Sequence, residues 1–564
     1  MKFIPSQIIY FTRSRTTQRN LKLLLNFMLV LTLMVVTFSV LFHYIMQMEG
    51  KEYSWITGFY WTLTVMSTLG FGDITFTSDL GKAFSMVVLL SGILFLLVML
   101  PFTFIQFFYG PWLEAQSRAK TPRELPEKTQ GHVILTNFDA LTINLIEKFS
   151  IYNINYAIIA PDLQRALELY DMKYNVVRGD LGDPETYKRL RIQSAAMLVA
   201  TNDDMTNTNI SFTVREAAKT IPVITNADAD NSIDILQLAG STHVFQFMKM
   251  LGESLARRTM GIRMGANVIG RFDQLLIAEA PAMRTPLEGK TILQSKLREK
   301  TGVTIVGLWE RGQFQLPQPE TQISSTTVLV LAGTVEQLNQ YDESFSTYRS
   351  YRDANIPVII LGGGRVGLAA ARVLEERQIN YKIVEKSSKK IINDNYILGN
   401  AADLDTLNQA GIQKAPSVII TTHDDSMNIY LTIYCRKLRS DMQIVSRANL
   451  DGNISKLHSA GADLVMSHAS MGAGTIINLL KPNKIVMIAE GLNIFRMPVH
   501  ASFVGKSLAE SQIRRLTGCS VIAISKDNAL NINPDPSILL EKHFELVLIG
   551  TSDSEKKIMD LYPS

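Results

Sequence analysis

The sequence has 564 residues, which at about 150 residues per domain corresponds to roughly three to five structural units. Hydrophobic residues make up 46% and charged residues only 19%, with a mean hydropathy of +0.10, so part of the chain is expected to lie in lipid. The 56 basic and 52 acidic residues leave a net charge of +4, which disfavours a nucleic-acid-binding protein. Two cysteines, Cys435 and Cys519, exclude a disulfide framework and favour a reducing compartment.

Two long segments without charged residues stand near the beginning of the chain. They run from Leu23 to Met46 and from Ala83 to Tyr109, and at about 1.5 Å per residue each is long enough to cross the roughly 30 Å hydrocarbon layer. We therefore predict membrane-spanning helices over residues 21–46 and 80–109, within a transmembrane domain of residues 21–110. A buried core helix is the alternative for either segment. The first apolar run is too long for a signal peptide, and no small-residue cleavage site follows it.

Basic residues flank the two segments on what is predicted to be the same side of the membrane. Because cytoplasmic loops carry an excess of Lys and Arg, the bias places both termini in the cytoplasm, and an even number of spans agrees with this. The chain is thus predicted to be a multi-pass protein of the cell (inner) membrane, with a cytoplasmic N-terminal segment of residues 1–20. The basic residues are Arg13, Arg15, Arg19 and Lys22 before the first segment and Arg118, Lys120, Arg123 and Lys128 after the second, against Lys51 and Lys82 between them.

The loop between the two spans is too apolar for an ordinary external loop. Residues 54–67 are predicted to form a short helix that re-enters the membrane, and the glycines that follow allow backbone torsions that turn consecutive carbonyls toward one axis. Irregular backbone at membrane depth is tolerated where it is buried in protein or lines a wet cavity, and a ring of carbonyls around an ion is such a cavity. The segment after the helix reads Thr68-Leu69-Gly70-Phe71-Gly72-Asp73.

This segment resembles the Thr-Val-Gly-Tyr-Gly-Asp selectivity filter of potassium channels, with Leu69 and Phe71 in place of Val and Tyr. The resemblance implies a pore helix and filter over residues 54–73 and K+ bound by the backbone carbonyls of residues 68 to 71, namely Thr68, Leu69, Gly70 and Phe71. It also implies a homotetramer, because one chain supplies one quarter of the ring. Phe71 lacks the hydroxyl that braces the filter in many family members, so the strictness of K+ selectivity stays open.

Candidate gating residues lie in the second span. Gly92 stands where the inner helix of these channels often bends, and Leu96 and Leu97 follow toward the cytoplasmic end. A ring of such leucines from four chains would make a hydrophobic constriction that closes by dewetting. The alternative, that any single one of these leucines faces lipid, is weighted equally. Pro101 is predicted to kink or loosen the helix.

The remainder of the chain alternates short apolar strands with amphipathic helices and repeats itself. Residues 132–135 correspond to 357–360 and residues 198–204 to 418–424, an offset of 220 to 225 that persists through the region. This pattern predicts two parallel sheets covered by helices. Each copy continues into a smaller α+β lobe. We therefore predict a multidomain protein: an all-α two-span pore domain, a linker over 111–130, Rossmann-like lobes over 131–274 and 355–486, and C-terminal lobes over 275–347 and 487–564.

The tandem arrangement resembles the RCK domain, the regulator of K+ conductance, together with the pore that precedes it. In the second lobe a GxGxxG pattern stands between a strand and a helix, which favours a dinucleotide at the helix N-terminus, with Glu385 placed to bind a ribose. An acid there favours NAD or ADP as the regulatory ligand, while neighbouring lysines leave a 2′-phosphorylated nucleotide open. A structural glycine turn is the alternative. The predicted cofactor-binding residues, several of them implied by the resemblance, are Gly362, Gly363, Gly364, Arg365, Val366, Gly367, Glu385, Lys386, Asn400, Ala401, Asp403, Thr421 and His423.

The first lobe departs from this pattern, because Asn137, Asp139 and Thr142 replace the three glycines. Its polar strand ends are consistent with turn and cap chemistry, which is favoured, or with a weaker second ligand site. Acidic pairs such as Asp203-Asp204 and Asp228 with Asp230 would suit Ca²⁺, but no EF-hand spacing is present and the position of any Ca²⁺ site stays open. The residues of the weaker second site are Asn137, Asp139, Asp162, Asp180 and Asn202.

These features favour a ligand-gated potassium channel that is not an enzyme. A cytoplasmic ring of RCK domains would bind a nucleotide, with Ca²⁺ as a further candidate, and shift the pore between closed and open states. A membrane-anchored NAD-dependent oxidoreductase is the alternative from another class, but no hydride-transfer constellation is apparent. A regulatory subunit of a separate transporter is disfavoured because the chain carries its own filter sequence.

Overall fold

The structure is a computed structural model that describes residues 15–106, 121–259, 265–272, 274–282, 285–310, 313–345, 356–391, 393–481, 485–487, 492–526 and 529–563. The chain divides into two compact units, Met1–Pro122 and Arg123–Ser564. Most of the predicted N-terminal segment and of the predicted linker lies outside the described residues. The same is true of Arg13, Arg118 and Lys120, on which the predicted orientation partly depends.

The first unit contains two helices that are long and apolar enough to cross a membrane, Leu24–Met48 and Asp79–Thr103, as the two uncharged segments predict. The second of them changes its winding along its length, because its middle turns are π-helical. Pro101 therefore follows a locally widened helix. The elements are α1 (Arg15–Met48), α2 (Trp55–Met66), α3 (Asp79–Gly92), a π-helical segment (Ile93–Met99) and α4 (Leu100–Phe104).

Aromatic side chains hold the short helix α2 between the two long ones. The ring of Trp61 stacks on Phe42 of α1 at a centroid distance of 4.9 Å and on Phe84 of α3 at 5.8 Å. Its indole nitrogen also donates a hydrogen bond of 3.2 Å to the carbonyl of Ile74, beyond the predicted filter. Because aromatic contacts and a directed hydrogen bond converge on one side chain, Trp61 fixes the re-entrant segment against both long helices.

The second unit contains two six-stranded parallel sheets of the same topology, with strand orders β3-β2-β1-β4-β5-β6 and β14-β13-β12-β15-β16-β17. This confirms the Rossmann-like fold predicted for both copies. The elements of the first are β1 (Val133–Leu135), α5 (Ala140–Ile151), β2 (Tyr156–Ala160), α6 (Leu163–Asp171), β3 (Val176–Arg178), α7 (Pro184–Arg189), β4 (Met197–Ala200), α8 (Asp204–Ala217), β5 (Val223–Asn226), α9 (Ile233–Leu238), β6 (His243–Phe245) and α10 (Phe247–Arg257). Those of the second are β12 (Val358–Leu361), α14 (Arg365–Glu376), β13 (Tyr381–Glu385), β14 (Tyr396–Leu398), α15 (Leu404–Ala410), β15 (Ser417–Ile420), α16 (Asp425–Leu438), β16 (Gln443–Ala448), α17 (Ile454–Ala460), β17 (Leu464–Ser467) and α18 (His468–Leu480).

Each Rossmann-like lobe is followed by a small lobe built on a five-stranded antiparallel sheet, with orders β10-β9-β11-β8-β7 and β18-β19-β22-β20-β21. The first consists of β7 (Asn267–Phe272), β8 (Leu275–Pro281), α11 (Ile292–Ser295), α12 (Leu297–Thr301), β9 (Thr304–Glu310), β10 (Gln313–Gln315), β11 (Thr327–Gly333) and α13 (Val335–Phe345). The second consists of β18 (Ile485–Met487), β19 (Leu492–Pro498), α19 (Ile513–Thr517), β20 (Ser520–Lys526), β21 (Ala529–Ile532), β22 (Glu545–Thr551) and α20 (Ser552–Leu561).

The two copies are interlocked, because the last helix of each Rossmann-like lobe packs on the first helix of the other. Helix α10 packs on α14, and α18 packs on α5. A glycine stands at each contact. A Cβ atom on Gly252 of α10 would lie 2.2 Å from the carbonyl oxygen of Val366, and one on Gly472 of α18 would lie 2.5 Å from Cδ1 of Leu141. The hydrophobic cores run across both copies, so neither copy closes its core alone.

The contact at Gly252 predicts a specific loss of stability. Replacement of Gly252 by Ala forces α10 away from α14, and we expect the free energy of unfolding to fall by about 1–3 kcal/mol, as for other overpacked cores. The matched control is Gly452→Ala, since a Cβ on Gly452 meets nothing within 4 Å. Chemical denaturation of the full chain in detergent measures both variants. Equal stability of the two would contradict the close helix contact.

Candidate functional site

The predicted filter has an unusual backbone. Thr68, Gly70 and Gly72 have φ angles of 63°, 43° and 77°, while Leu69 and Phe71 are not in this positive region. A positive φ is accessible to glycine at no cost, but for a β-branched residue such as Thr68 it is strained. Strain of this kind persists at sites where the surrounding structure requires it. Because the sign of φ alternates over residues 68–72, this segment forms neither helix nor strand. Its carbonyls are therefore not used in helical or sheet hydrogen bonds.

The segment is braced by the helix that precedes it. The backbone amides of Leu69 and Gly70 both donate to the carbonyl of Thr64, at 2.9 and 3.2 Å. At the outer end, the hydroxyl of Tyr60 donates to Oδ2 of Asp73 at 3.1 Å, and its ring lies parallel to Phe71 with centroids 6.5 Å apart. The segment is thus also braced from α2 at Asp73, a contact that the sequence pattern did not reveal.

A carboxylate that sequence reasoning missed ties the end of α1 to the start of α3. Glu49 follows α1, and its oxygens accept hydrogen bonds from the backbone amides of Thr77 at 3.0 Å and Ser78 at 2.9 Å and from both hydroxyls. Ser78 in turn caps α3 by accepting from the amide of Gly81 at 3.1 Å. These bonds, led by that from the Ser78 hydroxyl, hold the pKa of Glu49 well below its usual value. The carboxylate therefore stays charged and positions the first turn of α3.

The predicted gate residues occupy different environments. A Cβ on Gly92 would lie 2.3 Å from Cα and O of Met66, so the glycine permits α3 to touch the end of α2. Its own backbone is ordinary right-handed helix. The π-helical segment begins directly after it, and the amide of Leu100 bonds to the carbonyl of Phe95, five residues back. Leu96 packs partly against the core of this unit, whereas Leu97 is 48% exposed in the single chain.

The glycine-rich loop of the second Rossmann-like lobe leaves a helix N-terminus without a side-chain cap. Helix α14 begins at Arg365, three residues earlier than the sequence pattern suggested, and Gly364 as N-cap provides no side-chain acceptor. Gly362 has a φ of 114°, which glycine alone adopts readily, and a Cβ on Gly367 would lie 2.0 Å from the carbonyl oxygen of Gly362. The first amides of α14 are therefore available to an anion.

The predicted ribose acid is fixed beside this loop. Glu385 is 7% exposed, and its two carboxylate oxygens accept hydrogen bonds from the amides of Gly363 at 2.9 Å and Ser387 at 3.0 Å. The hydroxyl of Thr421 donates to the carbonyl of Gly362 at 2.8 Å. At the end of the neighbouring strand, Asn400 accepts from the amide of Ala402 at 3.1 Å. The structure thus brings the loop, Glu385 and Thr421 together by direct contacts.

The remaining predicted ligand residues divide into three groups. Lys386 and His423 are exposed, and His423 is the neighbour nearest to a Cβ placed on Gly364. Val366 is buried in the core, and Arg365 forms an ion pair with Asp228 of the first lobe. Ala401 and Asp403 follow β14, with Asp403 as the N-cap of α15.

Basic side chains act on the two histidines at the ends of these strands, with Glu385, Asp139 and Asp425 opposing them. Burial, followed by the charges of Arg447, Lys390 and Arg365, lowers the pKa of His423. Burial and the charge of Arg447 also lower the pKa of His468 to about 4. Arg447 was missed by sequence reasoning, although a charged residue at the carboxyl end of an apolar strand is a signal that could have identified it. The arrangement is suited to an anionic ligand.

The first lobe satisfies the equivalent groups internally. The carboxylate of Asp139 accepts from the amide of Thr142 at 2.8 Å and from the hydroxyl of Thr201 at 2.7 Å, so it caps α5 itself. The side chain of Asn137 donates to the carbonyl of Thr201 at 3.0 Å, and that of Asn202 accepts from the hydroxyl of Thr136 at 2.6 Å. Asp162 caps α6, and Asp180 accepts from the amide of Gly182 at 2.8 Å.

The acidic pairs considered for Ca²⁺ are engaged as well. Asp203 caps α8, Asp204 accepts from the amides of Asp228 and Ala229, and Asp230 pairs with Lys249 and Arg372. Within the described ranges, no group of three or more His, Cys, Asp or Glu side chains is arranged to hold a metal ion.

Comparison with protein families matches three parts of the chain. Residues 30–109 match the family described as Ion channel. Residues 133–246 and 358–468 match the TrkA-N domain, and residues 280–346 and 493–562 match the TrkA-C domain. The matches reproduce the order of a pore followed by two copies of a two-lobed unit.

The chain is similar over nearly its full length to solved channel structures. It is 37% identical to the GsuK channel, and the match covers 96% of this chain and 99% of that one with a TM-score of 0.58. The structure of the GsuK channel bound to NAD matches with the same identity and coverage and a TM-score of 0.56. Potassium channel protein 1 of Methanocaldococcus jannaschii is 23% identical over 55% of this chain and 95% of its own length. The calcium-gated potassium channel TvoK of Thermoplasma volcanium is 26% identical over 33% of this chain and 51% of its own.

The Glu49 cluster predicts a stability effect in the membrane unit. Replacement of Glu49 by Gln removes the charge and one acceptor oxygen while keeping the size, so Thr77 and Ser78 lose part of their hydrogen bonding. We expect the thermal unfolding midpoint of the purified protein, followed by tryptophan fluorescence, to fall by several degrees. Glu52→Gln, an exposed neighbour, is the control and should leave the midpoint unchanged. A midpoint unchanged in both variants would contradict the anchoring role.

Proposed function

Because the chain belongs to the family of two-span potassium channels with tandem RCK domains, we propose that it is a nucleotide-gated K+ channel of the cell membrane with both termini in the cytoplasm. The observation that carries this proposal is the braced segment of residues 68–73 between two membrane-spanning helices. Its alternating φ angles leave the carbonyls of Thr68, Leu69, Gly70 and Phe71 as the K+ ligands.

A complete pore requires four copies of the chain. In one chain Leu69 is 62% and Phe71 65% exposed, an arrangement that is unfavourable for apolar side chains next to an ion pathway unless a neighbouring chain covers them. A closed cyclic tetramer buries the same patch on every chain and places four sets of carbonyls around one axis. Four copies of Leu97 on the inner helix would then narrow the cytoplasmic end of the pore.

The RCK domains carry apolar surface suited to assembly with a second copy of this chain. On the first lobe these residues are Met205 and Phe212, one helical repeat of seven apart on α8, with Leu238 on α9. On the second lobe Tyr430 and Ile433 occupy the corresponding helix α16. The same face is apolar in both copies, and eight such lobes from four chains would form a cytoplasmic ring that covers it.

The nucleotide site belongs to the second lobe. The uncapped N-terminus of α14 binds the pyrophosphate of NAD or ADP, and Glu385 binds the adenosine ribose. The similar GsuK channel has been solved bound to NAD, which supports this choice of ligand. Helix α14 packs on α10 of the first domain, so the ligand acts on both domains of the ring. It shifts the pore only by its differential affinity for the open and closed states.

An oxidoreductase would use the same loop for catalysis, and the two functions differ in their outcome. A sensor binds NAD unchanged, whereas a dehydrogenase reduces it. Of the histidines near the proposed site, His423 is exposed and His468 has a pKa of about 4, which is poorly matched to proton transfer near neutral pH. Reduction of NAD by the purified protein in the presence of a hydride-donor substrate would therefore favour the oxidoreductase alternative over the channel.

The channel proposal predicts selective flux. Purified protein in liposomes is expected to carry K+ faster than Na+, and the K+ flux is expected to change when NAD or ADP is added to the cytoplasmic side. A Ca²⁺ arm is included because TvoK is named as calcium-gated. Equal flux of both ions, or no flux under any condition, would contradict the proposal.

The nucleotide site is tested separately at Gly364. Its φ is −77°, and a Cβ there meets only the ring of His423, with Nε2 at 3.4 Å, so a side chain is tolerated by the fold but would occupy the space of the proposed phosphate. We expect Gly364→Leu to abolish the nucleotide response while basal K+ flux persists. The response of Gly364→Ala should lie between that of Gly364→Leu and that of the original protein. An unchanged response in both variants would place the ligand in another lobe.

A further inference from the structure

Arg447 is a buried arginine whose side chain is incompletely partnered. It lies at the carboxyl end of β16 and is 2% exposed, and its Nε and Nη1 atoms have no hydrogen-bond partner among the described residues. Its backbone carbonyl is fixed by the side-chain amide of Asn428 at 3.1 Å. A buried cation without a hydrogen-bonded anion is costly, because desolvation is not repaid by a partner.

The neighbouring acid does not supply that partner. Both oxygens of Asp425 are used: Oδ1 accepts from the backbone and side-chain amides of Asn449 at 2.7 and 2.9 Å, and Oδ2 accepts from Leu450 at 3.0 Å and Asn453 at 2.9 Å. Burial lowers the pKa of Arg447; the charge of Asp425 opposes this shift, and the charge of Arg365 adds to it. The guanidinium is thus influenced by a second cation, while the oxygens of Asp425 are engaged by other donors.

Arg436 in the same lobe shows how a structural arginine is satisfied here. Its guanidinium donates to the carbonyls of Gly461, Ser440 and Met442 and to Oδ2 of Asp463, all between 2.7 and 3.0 Å. Arg447 has no comparable set of acceptors within the described part of the chain. A role in holding the fold is therefore a poor explanation for its charge.

The sheet register places Arg447 beside the glycine-rich loop. Leu361 pairs with Ile420, and Ile420 pairs with Ser446, so Gly362, Thr421 and Arg447 form the next row at the carboxyl edge. At about 4.8 Å per strand, the Cα atoms of Gly362 and Arg447 are roughly 10 Å apart. A phosphate bound at the loop and an extended arginine side chain can together bridge this Cα–Cα distance.

The side chain also points to the correct face of the sheet. Residues two apart on a strand share a face, so Arg447 lies on the face of Val445. Val445 belongs to the same hydrophobic cluster as Val366 and Ala370 of α14. Arg447 is therefore on the side of the sheet where α14 packs, at the edge where its N-terminus lies.

We propose that the guanidinium of Arg447 binds the distal phosphate of a nucleoside diphosphate or dinucleotide held at the N-terminus of α14. The inference rests on the proposed nucleotide site and adds a residue and a specificity to it. Glu385 stands on β13, on one side of β12, whereas Arg447 stands on β16, on the other side. The adenosine half extends toward β13, so the first phosphate meets the helix and the second phosphate meets Arg447. Pyrophosphate is thereby preferred over a single phosphate.

The test compares ligands and variants in the full-length protein in detergent. We expect Arg447→Met to weaken ADP and NAD binding by about 10- to 100-fold, the value of a hydrogen bond to a charged group, in isothermal titration. AMP, which lacks the second phosphate, should bind the variant and the original protein about equally. Without ligand, the thermal midpoint of Arg447→Met should be equal or higher, because an unpaired buried charge is removed.

Controls separate the possible failures. Arg436→Met should lower the thermal midpoint without ligand and keep the increase in midpoint caused by ADP. Arg447→Met should not lower the midpoint without ligand, and its increase with ADP should be smaller. Arg447→Lys, which keeps the charge but not the planar group, should bind ADP with intermediate affinity. If the original protein binds no nucleotide, the proposed function fails. If the original protein binds ADP, any of three results for Arg447→Met overturns the inference. They are an unchanged ADP affinity, a loss of AMP affinity as large as the loss of ADP affinity, and a lower thermal midpoint without ligand.

Discussion

The reciprocal packing of α10 on α14 and of α18 on α5 is the contact on which the second unit, residues 123–564, depends. At Gly252 the two helices approach until no side chain fits between them. Because each domain lends its last helix to the other, the core of each sheet is completed by residues from the other copy. The two domains are therefore coupled mechanically before any ligand binds. Movement of the first turn of α14 has to be followed by α10, since well-packed interiors have little free volume.

The two copies share a topology but have diverged in how their polar groups are satisfied. At the start of α5 the carboxylate of Asp139 takes the place that an anion would occupy, whereas α14 begins with Gly364 and no cap. At the end of the fifth strand the first copy has Asn226, whose side chain donates to Asp228 and accepts from the amide of Phe247. The second copy has Arg447, whose Nε and Nη1 atoms have no hydrogen-bond partner among the described residues. In each comparison the first copy satisfies these polar groups with its own side chains, whereas the second copy does so less completely within the described residues. The two copies therefore differ at their strand ends in the way that the proposed nucleotide site requires.

The sequence revealed those features that depend on local pattern. The spans, the re-entrant helix, the offset between the copies and the glycine-rich loop follow from apolar length, periodicity and backbone freedom, and the structure has elements at each place. Features that depend on contacts between distant residues were not predicted. The packing of α10 and α18 on the opposite copy and the hydrogen bonds of Glu49 join residues more than twenty positions apart, so they leave no local trace in the sequence. Arg447 does leave one, a charged residue at the end of an apolar strand, but its burial depends on the packed helices. The brace from Tyr60 to Asp73 belongs to the same class, because it joins a helix to a loop.

If a nucleotide acts on the pore as proposed, its effect is limited by the difference between its affinities for the two ring geometries. A tenfold difference in affinity between two ring geometries corresponds to about 1.4 kcal/mol at one site. In the proposed tetramer four equivalent sites acting together would shift the equilibrium by about 10⁴, which is enough to move a population from about 1% to about 99% open. Each site therefore needs only a modest preference. A preference of that size is consistent with a small displacement of α14 transmitted through Gly252 to α10, so that the first domain would follow a ligand bound at the proposed site of the second.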